Sequence, residues 1–523
     1  MPDDSCGDCV DFYGKNSHLL VRNACGEVSG GAFCNHREKI GAVLFNWRMA
    51  PDLRWLIAMK RLKYQVVVIG GGSGGYAAAA KLGEYGIKTA IVEKAEKLGG
   101  LCILRGCMPS KAIIESANRM REIRSAAEFG IHVSGPTISM NEVQDRKERL
   151  IGNFQEYRED QLRNGKFDLI RGQATYRTGT VLHVKGDEEL ELECDYSIVA
   201  TGSVPSVPEI DGLEKIDYWL SKDALDTREL PEHLIVIGGG AIGCEMAHCF
   251  EGLGSKVTIV QRSGCLLTDF DEDIGDTITE ISKKRGIEVC CNSKAKSVRE
   301  ENGDVLLEIE QNGVTKEIRG SHLLIAAGRK PATDGLCLAN ANVETEKSRV
   351  KTNFHMQTSN NRIFAIGDSS SELPVVHEAV IQGEAVAKQI AIETGVIDEE
   401  ISRSGISDFE LFGIFTHPEC ARAGMRKKEI EDKSLDTQTA MYCFSDHGKS
   451  EILNETDGFV KLIVEKNSGR ILSASAVGPH VIELIHEIQV AIHGGICIKD
   501  FAAIPHYHPT LAEIWTYPAE ELS

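Results

Sequence analysis

YQVVVIGGGSGGYAAAAKLGEYGIKTAIVE, residues 64–93, carries the pattern of a strand, a glycine-rich turn, a helix and a second strand. A β-branched run ends in Gly70-x-Gly72-x-x-Gly75, an alanine-rich helix follows, and a second strand-like run closes on Glu93. In such a unit Gly70 permits the tight turn, Gly72 lets a pyrophosphate approach the backbone, and Gly75 allows close helix–strand packing. Amides at the helix start then face phosphate oxygens, and Glu93 is placed to accept from ribose hydroxyls. A bare glycine triplet describes any βα turn. With both strands, the helix and the terminal acid in order, it predicts a dinucleotide-binding domain of α/β class.

The pattern returns at 233–262, HLIVIGGGAIGCEMAHCFEGLGSKVTIVQR, with Gly238, Gly240 and Gly243 in the triplet positions. Two complete units predict two bound dinucleotides. The second strand of this unit ends at Gln261–Arg262 rather than at an acid. An acid there favours the free 2′-hydroxyl of NAD, whereas Arg262 suits a 2′-phosphate. Gly243 in the third position suits the NAD-type turn, so NAD and NADP both stay open.

Between the units stands GGLCILRGCMPSK, residues 99–111. In a regular helix, residues five apart have Cα atoms about 8–9 Å apart, while a disulfide needs roughly 4.4–6.8 Å. Cys102 and Cys107 therefore join only if the segment is distorted, and Gly106 supplies that freedom. Pro109 suits the first position of the helix that follows. A helix start favours thiolate, and Lys111 adds positive charge one turn on. Arg105, between the pair, is expected to act in the same direction. Two ligands without a nearby His or second cysteine pair make a poor metal site. Two inert buried thiols are the plain alternative, and the nucleotide unit just upstream favours redox use.

The totals bound the rest. A chain of 523 residues suggests three or four domains. Its formal net charge of −20 disfavours nucleic acid and anionic membranes as partners. No stretch reads as a transmembrane helix or secretory signal, so a cytoplasmic location is the default expectation. In that setting most of the 16 cysteines should be reduced.

GGLCILRGCMPSK resembles the signature of class I pyridine nucleotide–disulfide oxidoreductases. The resemblance runs from about Lys63 to the C-terminus and includes ATG (200–202), AAGRKP (326–331), IFAIGD (363–368) and HPTLAE (508–513) in family order. It implies FAD with NAD or NADP, a Cys102–Cys107 redox disulfide, and a homodimer. Cys107 then resembles the thiol that contacts flavin and Cys102 the one that exchanges with substrate. Lys111 resembles the lysine near the flavin and Glu245 its acidic partner. Asp368, Gly202, Ala174 and Val376 fall where the family meets FAD, and Gly328 where it meets the nicotinamide nucleotide. His508 and Glu513 resemble the base and its orienting acid, reaching the disulfide of the other subunit, with a cis His508–Pro509 bond. His506 lacks the Pro-Thr context and is expected to be structural.

Dihydrolipoamide is the leading substrate expectation, presented free or on a lipoyl domain, with a 2-oxoacid dehydrogenase complex as a partner. A mercuric reductase-like or other low-molecular-weight disulfide reductase using NADPH is the alternative. Against the mercuric reading, the tail YPAEELS carries no cysteine, and Cys290–Cys291 reads as core. A flavoprotein subunit or redox sensor without turnover is the reading from another class. The expected domains are an N-terminal extension at 1–58, an FAD domain at 59–205 and an NAD(P) domain at 206–329. A central segment at 330–405 completes the FAD site, and an α+β interface domain spans 406–523. The extension has no counterpart in the family frame. Its Cys6, Cys9, Cys25, Cys34 and His36 match no zinc spacing, and no metal is expected.

Overall fold

The computed structural model describes residues 60–399 and 410–523; Cys6, Cys9, Cys25, Cys34 and His36 lie outside them. Strand β1 (Lys60–Ile69) is buried from Val66 to Ile69, as befits a strand covered on both faces. The chain turns through the glycines into α1 (Ser73–Glu84), whose small buried residues lie against the sheet, and returns as β2 (Thr89–Glu93). Two helices follow, α2 (Gly100–Arg105) and α3 (Cys107–Ser125), broken at Gly106. The long α4 (Met140–Arg163) starts at Ser139, whose side chain accepts from the Glu142 amide. Then come β3 (Asp168–Arg171), β4 (Gln173–Thr178), β5 (Val181–Lys185) and β6 (Glu189–Val199). The sheet order is β3-β2-β1-β6-β5-β4. Its β3-β2-β1-β6 part is parallel, and β4-β5-β6 is an antiparallel return.

Strand β7 (Ser203–Pro205) and α5 (Ser221–Asp226) lead into the second nucleotide unit. It consists of β8 (His233–Ile237), α6 (Ala241–Leu253), β9 (Lys256–Val260), α7 (Glu272–Lys284) and β10 (Glu288–Cys290). An antiparallel sheet of β11 (Ser293–Glu301), β12 (Asp304–Gln311) and β13 (Val314–Gly320) precedes β14 (His322–Ile325). The order β10-β9-β8-β14 is wholly parallel. Cys290 is buried at the end of β10, and its carbonyl accepts from the Gln261 amide.

The chain then goes back to the first module. Strand β15 (Arg329–Pro331) pairs with β7, and a small hairpin, β16 (Thr345–Glu346) and β17 (Arg349–Val350), follows. Strand β18 (Ile363–Ala365) adds to β6 in parallel. Helix α8 (Val376–Glu393) lies directly on α1: a Cβ at Gly383 would stand 2.4 Å from the Gly74 carbonyl oxygen. Such backbone contact needs small residues on both helices.

The last module is antiparallel, with the order β19 (Glu410–Ile414), β20 (Glu419–Gly424), β23 (Ile471–Gly478), β22 (Phe459–Glu465) and β21 (Thr437–Cys443). Short helices α9 (Lys427–Asp432) and α10 (Gly448–Leu453) interrupt it, and α11 (Val481–His493) covers it. Helices α12 (Ile498–Ala503) and α13 (Thr516–Leu522) close the chain around the His508 loop. The alternation in FVKLIVEK and RILSASAVG fits the antiparallel pairing observed, and Phe459–Val464 is buried throughout rather than on one face. Lys461 instead donates to Asp271 at 2.8 Å and Asp273 at 2.6 Å, at the start of α7.

Two parallel α/β modules and one antiparallel α+β module make up the described chain, the class the repeated glycine units imply. One local expectation is corrected. Helix α3 starts at Cys107, so Pro109 is its third residue, not its first. Proline costs nothing there, because the first four amides of a helix have no intrahelical partner. No helix among the described residues is long and apolar enough to cross a membrane.

Candidate active site

The break at Gly106, with φ −134° and ψ −113°, ends α2 and sets Cys107 at the first turn of α3. Both cysteines are thiols here, half-buried, with the Cys102 sulfur hydrogen-bonded to that of Cys107. That bond, aided by the Lys111 charge and opposed by burial, draws the Cys107 thiol down to about 7. The same bond and burial push Cys102 up, while Lys111 and Arg158 pull against the rise. The surroundings thus push the two sulfurs in opposite directions, Cys107 toward thiolate and Cys102 toward thiol.

Lys111 lies one turn along α3 and donates to both carboxylate oxygens of Glu245, at 2.9 Å each. Glu245 also accepts from the Phe415 amide at 3.0 Å, and its residue is 8% exposed. The Lys111 ammonium stands 4.4 Å from the centroid of the Phe415 ring. One carboxylate on α6 therefore ties α3 to the last module. A buried ion pair held from three elements is costly to break from one side, by about 3–5 kcal/mol.

The two glycine turns are close structural repeats. A Cβ on Gly75 would fall 1.9 Å from the Gly70 carbonyl oxygen, and on Gly243 1.9 Å from that of Gly238. Any side chain there separates helix from strand. Gly72 and Gly240, by contrast, face open space, with nothing within 4 Å of a built Cβ. Phosphate-bearing ligands fit these cradles. Glu93 accepts from the amides of Gly71 at 2.8 Å and Ala95 at 2.7 Å, so its carboxylate also braces the turn. Gln261 occupies the equivalent place in the second unit, its amide oxygen accepting from the Gly239 amide at 3.1 Å. Arg262, next along, is exposed.

Around the first turn, Gly202 has φ +69° and open space at its Cβ position, and the neighbouring Thr201 hydroxyl is buried without a partner. An orphaned donor beside an open glycine suits a polar ligand running past it. Asp368 accepts from Ser203 at 2.5 Å, and Ser203 in turn accepts from Arg329 Nε at 2.8 Å. Val376 is the first residue of α8. Ala174 is buried in β4. Gly328 lies between β14 and β15, with φ +104° and an open Cβ position. FAD fits the first cradle and a nicotinamide nucleotide the second.

His508 stands in the loop before α13, joined to Pro509 by a cis peptide bond. Its Nδ1 lies 3.0 Å and 3.2 Å from the Glu513 oxygens. That pairing assigns the Nδ1 proton to the carboxylate side and leaves Nε2 as an acceptor. The side chain of His508 is 81% exposed and that of Glu513 10%. No hydrogen bond or ion pair joins His508 to either cysteine among the described residues. His506 is pinned at both nitrogens, to Ile504 and Glu487.

Two residues escape the sequence reading. His447 is fully buried, with Nε2 3.5 Å from Glu513, and its pKa is lowered by burial. Nothing local in FSDHGKS marks it. Arg158, from α4, is the second, and its charge acts against the rise at Cys102. Arg105 is exposed and acts on Arg329.

Comparison with known proteins agrees with this layout. Residues 64–383 match the pyridine nucleotide-disulphide oxidoreductase family, and residues 412–519 its dimerisation domain. A dihydrolipoyl dehydrogenase of Geobacillus stearothermophilus is 34% identical over 462 residues, covering 88% of this chain and 96% of that one. One from Haloferax volcanii is 32% identical over 467 residues, covering 87% and 95%. Among solved structures, the Cu(II) complex of the HOCl-induced flavoprotein disulfide reductase RclA from Escherichia coli superposes with a TM-score of 0.77. It shares 25% identity, covering 88% of this chain and all of that one.

Proposed function

The chain belongs to the pyridine nucleotide-disulphide oxidoreductase family, whose members use FAD and NAD(P)H, and from that premise we propose that it oxidises dihydrolipoamide with NAD. It is an FAD-dependent oxidoreductase. The observation that carries the substrate reading is the hydrogen-bonded Cys102–Cys107 pair beside Lys111–Glu245, in a chain whose curated relatives are named dihydrolipoyl dehydrogenase.

Bound flavin supplies the two-electron link between the nicotinamide and the cysteine pair. The chain's own residues do the rest. Gly70, Gly72, Gly75, Glu93, Ala174, Gly202, Asp368 and Val376 hold the FAD side; Gly238, Gly240, Gly243, Gln261, Arg262 and Gly328 hold the nucleotide. Lys111 keeps positive charge at Cys107, and Glu245 fixes that lysine in place. Substrate thiolate attacks the Cys102 sulfur of the disulfide, and Cys107 leaves as thiolate. His508 takes the substrate's proton at Nε2 while Glu513 holds its ring.

The domain boundaries anticipated above serve as the working division, and the last module joins two copies into a homodimer. A lipoyl domain of a 2-oxoacid dehydrogenase complex is the proposed partner and the cytoplasm the proposed location. A second reading, an NADPH-linked reductase of small disulfides, is favoured by one observation: Gln261 is neutral and Arg262 is exposed beside the open Gly240 cradle. Steady-state assays with lipoamide, glutathione disulfide and Hg(II), each with NADH and NADPH, decide between them. The proposal expects lipoamide and NADH to give the highest kcat/KM. Preference for another substrate with NADPH overturns it.

A further inference from the structure

Helix α4 packs on α2 and α3 and carries Arg158 toward Cys102. The guanidinium lies 4.2 Å from the centroid of the Tyr76 ring on α1. Its Nε is buried and has no hydrogen-bond partner. The acids next to it on α4 are engaged elsewhere: Glu159 by Arg163 at 2.6 Å and Asp160 by Asn164 at 2.6 Å. No ion pair involves Arg158 among the described residues. An arginine that is half-buried, stacked and without a carboxylate is an unspent positive charge. Lys111, the other cation acting on Cys102, is already paired with Glu245.

We propose that Arg158 is a positioning residue for thiol exchange: braced on Tyr76 and left without a carboxylate, its charge stabilises the Cys102 thiolate whenever that sulfur attacks or leaves. The inference rests on the reading of Cys102 as the exchange thiol. When the enzyme reduces a disulfide, His508 takes the Cys102 proton and the Cys102 thiolate attacks one substrate sulfur. The substrate S–S bond breaks, a Cys102–substrate bond forms, and the released thiolate takes the proton from His508. Cys107 then attacks the Cys102 sulfur, closing the protein disulfide and expelling the second substrate thiolate. The two cysteines are oxidised by two electrons, and the substrate leaves as one thiol and one thiolate, the latter taking its proton from solvent. In the opposite direction Cys102 is the last leaving thiolate. Either way it carries a full negative charge once, and its hydrogen bond to Cys107 and its burial oppose that charge.

The other groups near Cys102 do not take this role. From α3 come Cys107 and Lys111, and behind Lys111 stands Glu245 on α6. Helix α5 also packs on α2. There Asp223 accepts from the Leu220 amide, Asp226 pairs with Lys147, and Lys222 is exposed.

The test compares wild type, Arg158→Gln, Arg158→Lys and Arg105→Gln as flavin-loaded holoenzymes. Each is reduced with NADH and mixed with 4,4′-dithiodipyridine, a neutral disulfide, from pH 5 to 9. Arg158→Gln is expected to retain FAD and to be reduced normally. Its exchange is expected to slow about tenfold at pH 7 and recover near pH 9, the midpoint rising about one unit. Arg158→Lys restores part of the loss, and Arg105→Gln follows wild type. An unchanged profile for Arg158→Gln, a loss equal at every pH, or loss of FAD overturns the proposal. A wild type whose cysteines NADH cannot reduce instead overturns the disulfide reading beneath it.

Discussion

At the scale of single residues, the site works by dividing one pair of thiols unequally. Cys107 is drawn down to about 7, first by the hydrogen bond from Cys102 and then by Lys111, while Glu245 acts in the opposite sense. A lowered thiol pKa means the thiolate persists above about pH 7 and is lost by protonation below it. Two variants should move that midpoint in opposite directions. Lys111→Met removes the cation and leaves Glu245 facing the sulfur, raising the midpoint by about one unit. Glu245→Gln frees the lysine charge and lowers it. Iodoacetamide labelling of Cys107 in the reduced holoenzyme, followed by peptide mass spectrometry across pH, reads both shifts. Midpoints that move together or not at all contradict the assignment. His447 adds a further layer beneath His508, since Glu513 stands between the two imidazoles.

At the scale of elements, the two nucleotide turns divide glycines into those that pack and those that leave room. Gly243 sits against the Gly238 carbonyl, so any side chain there pries α6 from β8. Gly240 has φ −81° and open space ahead of it, so alanine fits the fold there but fills the cradle. Gly240→Ala is therefore expected to keep its FAD and its melting temperature within about 2 °C. Its KM for the nicotinamide nucleotide should rise about tenfold or more. Thermal unfolding and steady-state kinetics together check this, and an unchanged KM contradicts the cradle. The contrast also explains what was readable in advance. The strand–turn–helix units are local, so spacing alone revealed them. Arg158 was not readable: it lies some fifty residues beyond Cys102, and only the packing of α4 on α2 joins them. Lys461, inside FVKLIVEK, is buried against Asp271, a partner 190 residues away that spacing within the strand does not show.

At the scale of the whole molecule, Lys111 and Glu245 gather around the cysteines while His508 and Glu513 stand in the last module, His508 largely in the open. In the proposed homodimer each cysteine pair meets the histidine of the other copy. Mixing Cys107→Ser and His508→Ala chains, each inactive alone, should then restore activity in the mixed dimer, to about a quarter of the wild-type value after random reassortment. No recovery, with mixed dimers confirmed by native mass spectrometry, contradicts a shared site. Underlying all of this is the proposed redox pair, Cys102 and Cys107, with Cys107 against the flavin. Anaerobic titration of the purified flavoprotein with NADH tests it. A long-wavelength thiolate–flavin absorbance band is expected after one equivalent, absent in Cys107→Ser. Direct bleaching of the flavin without that band, leaving the cysteine disulfide unreduced, would contradict it.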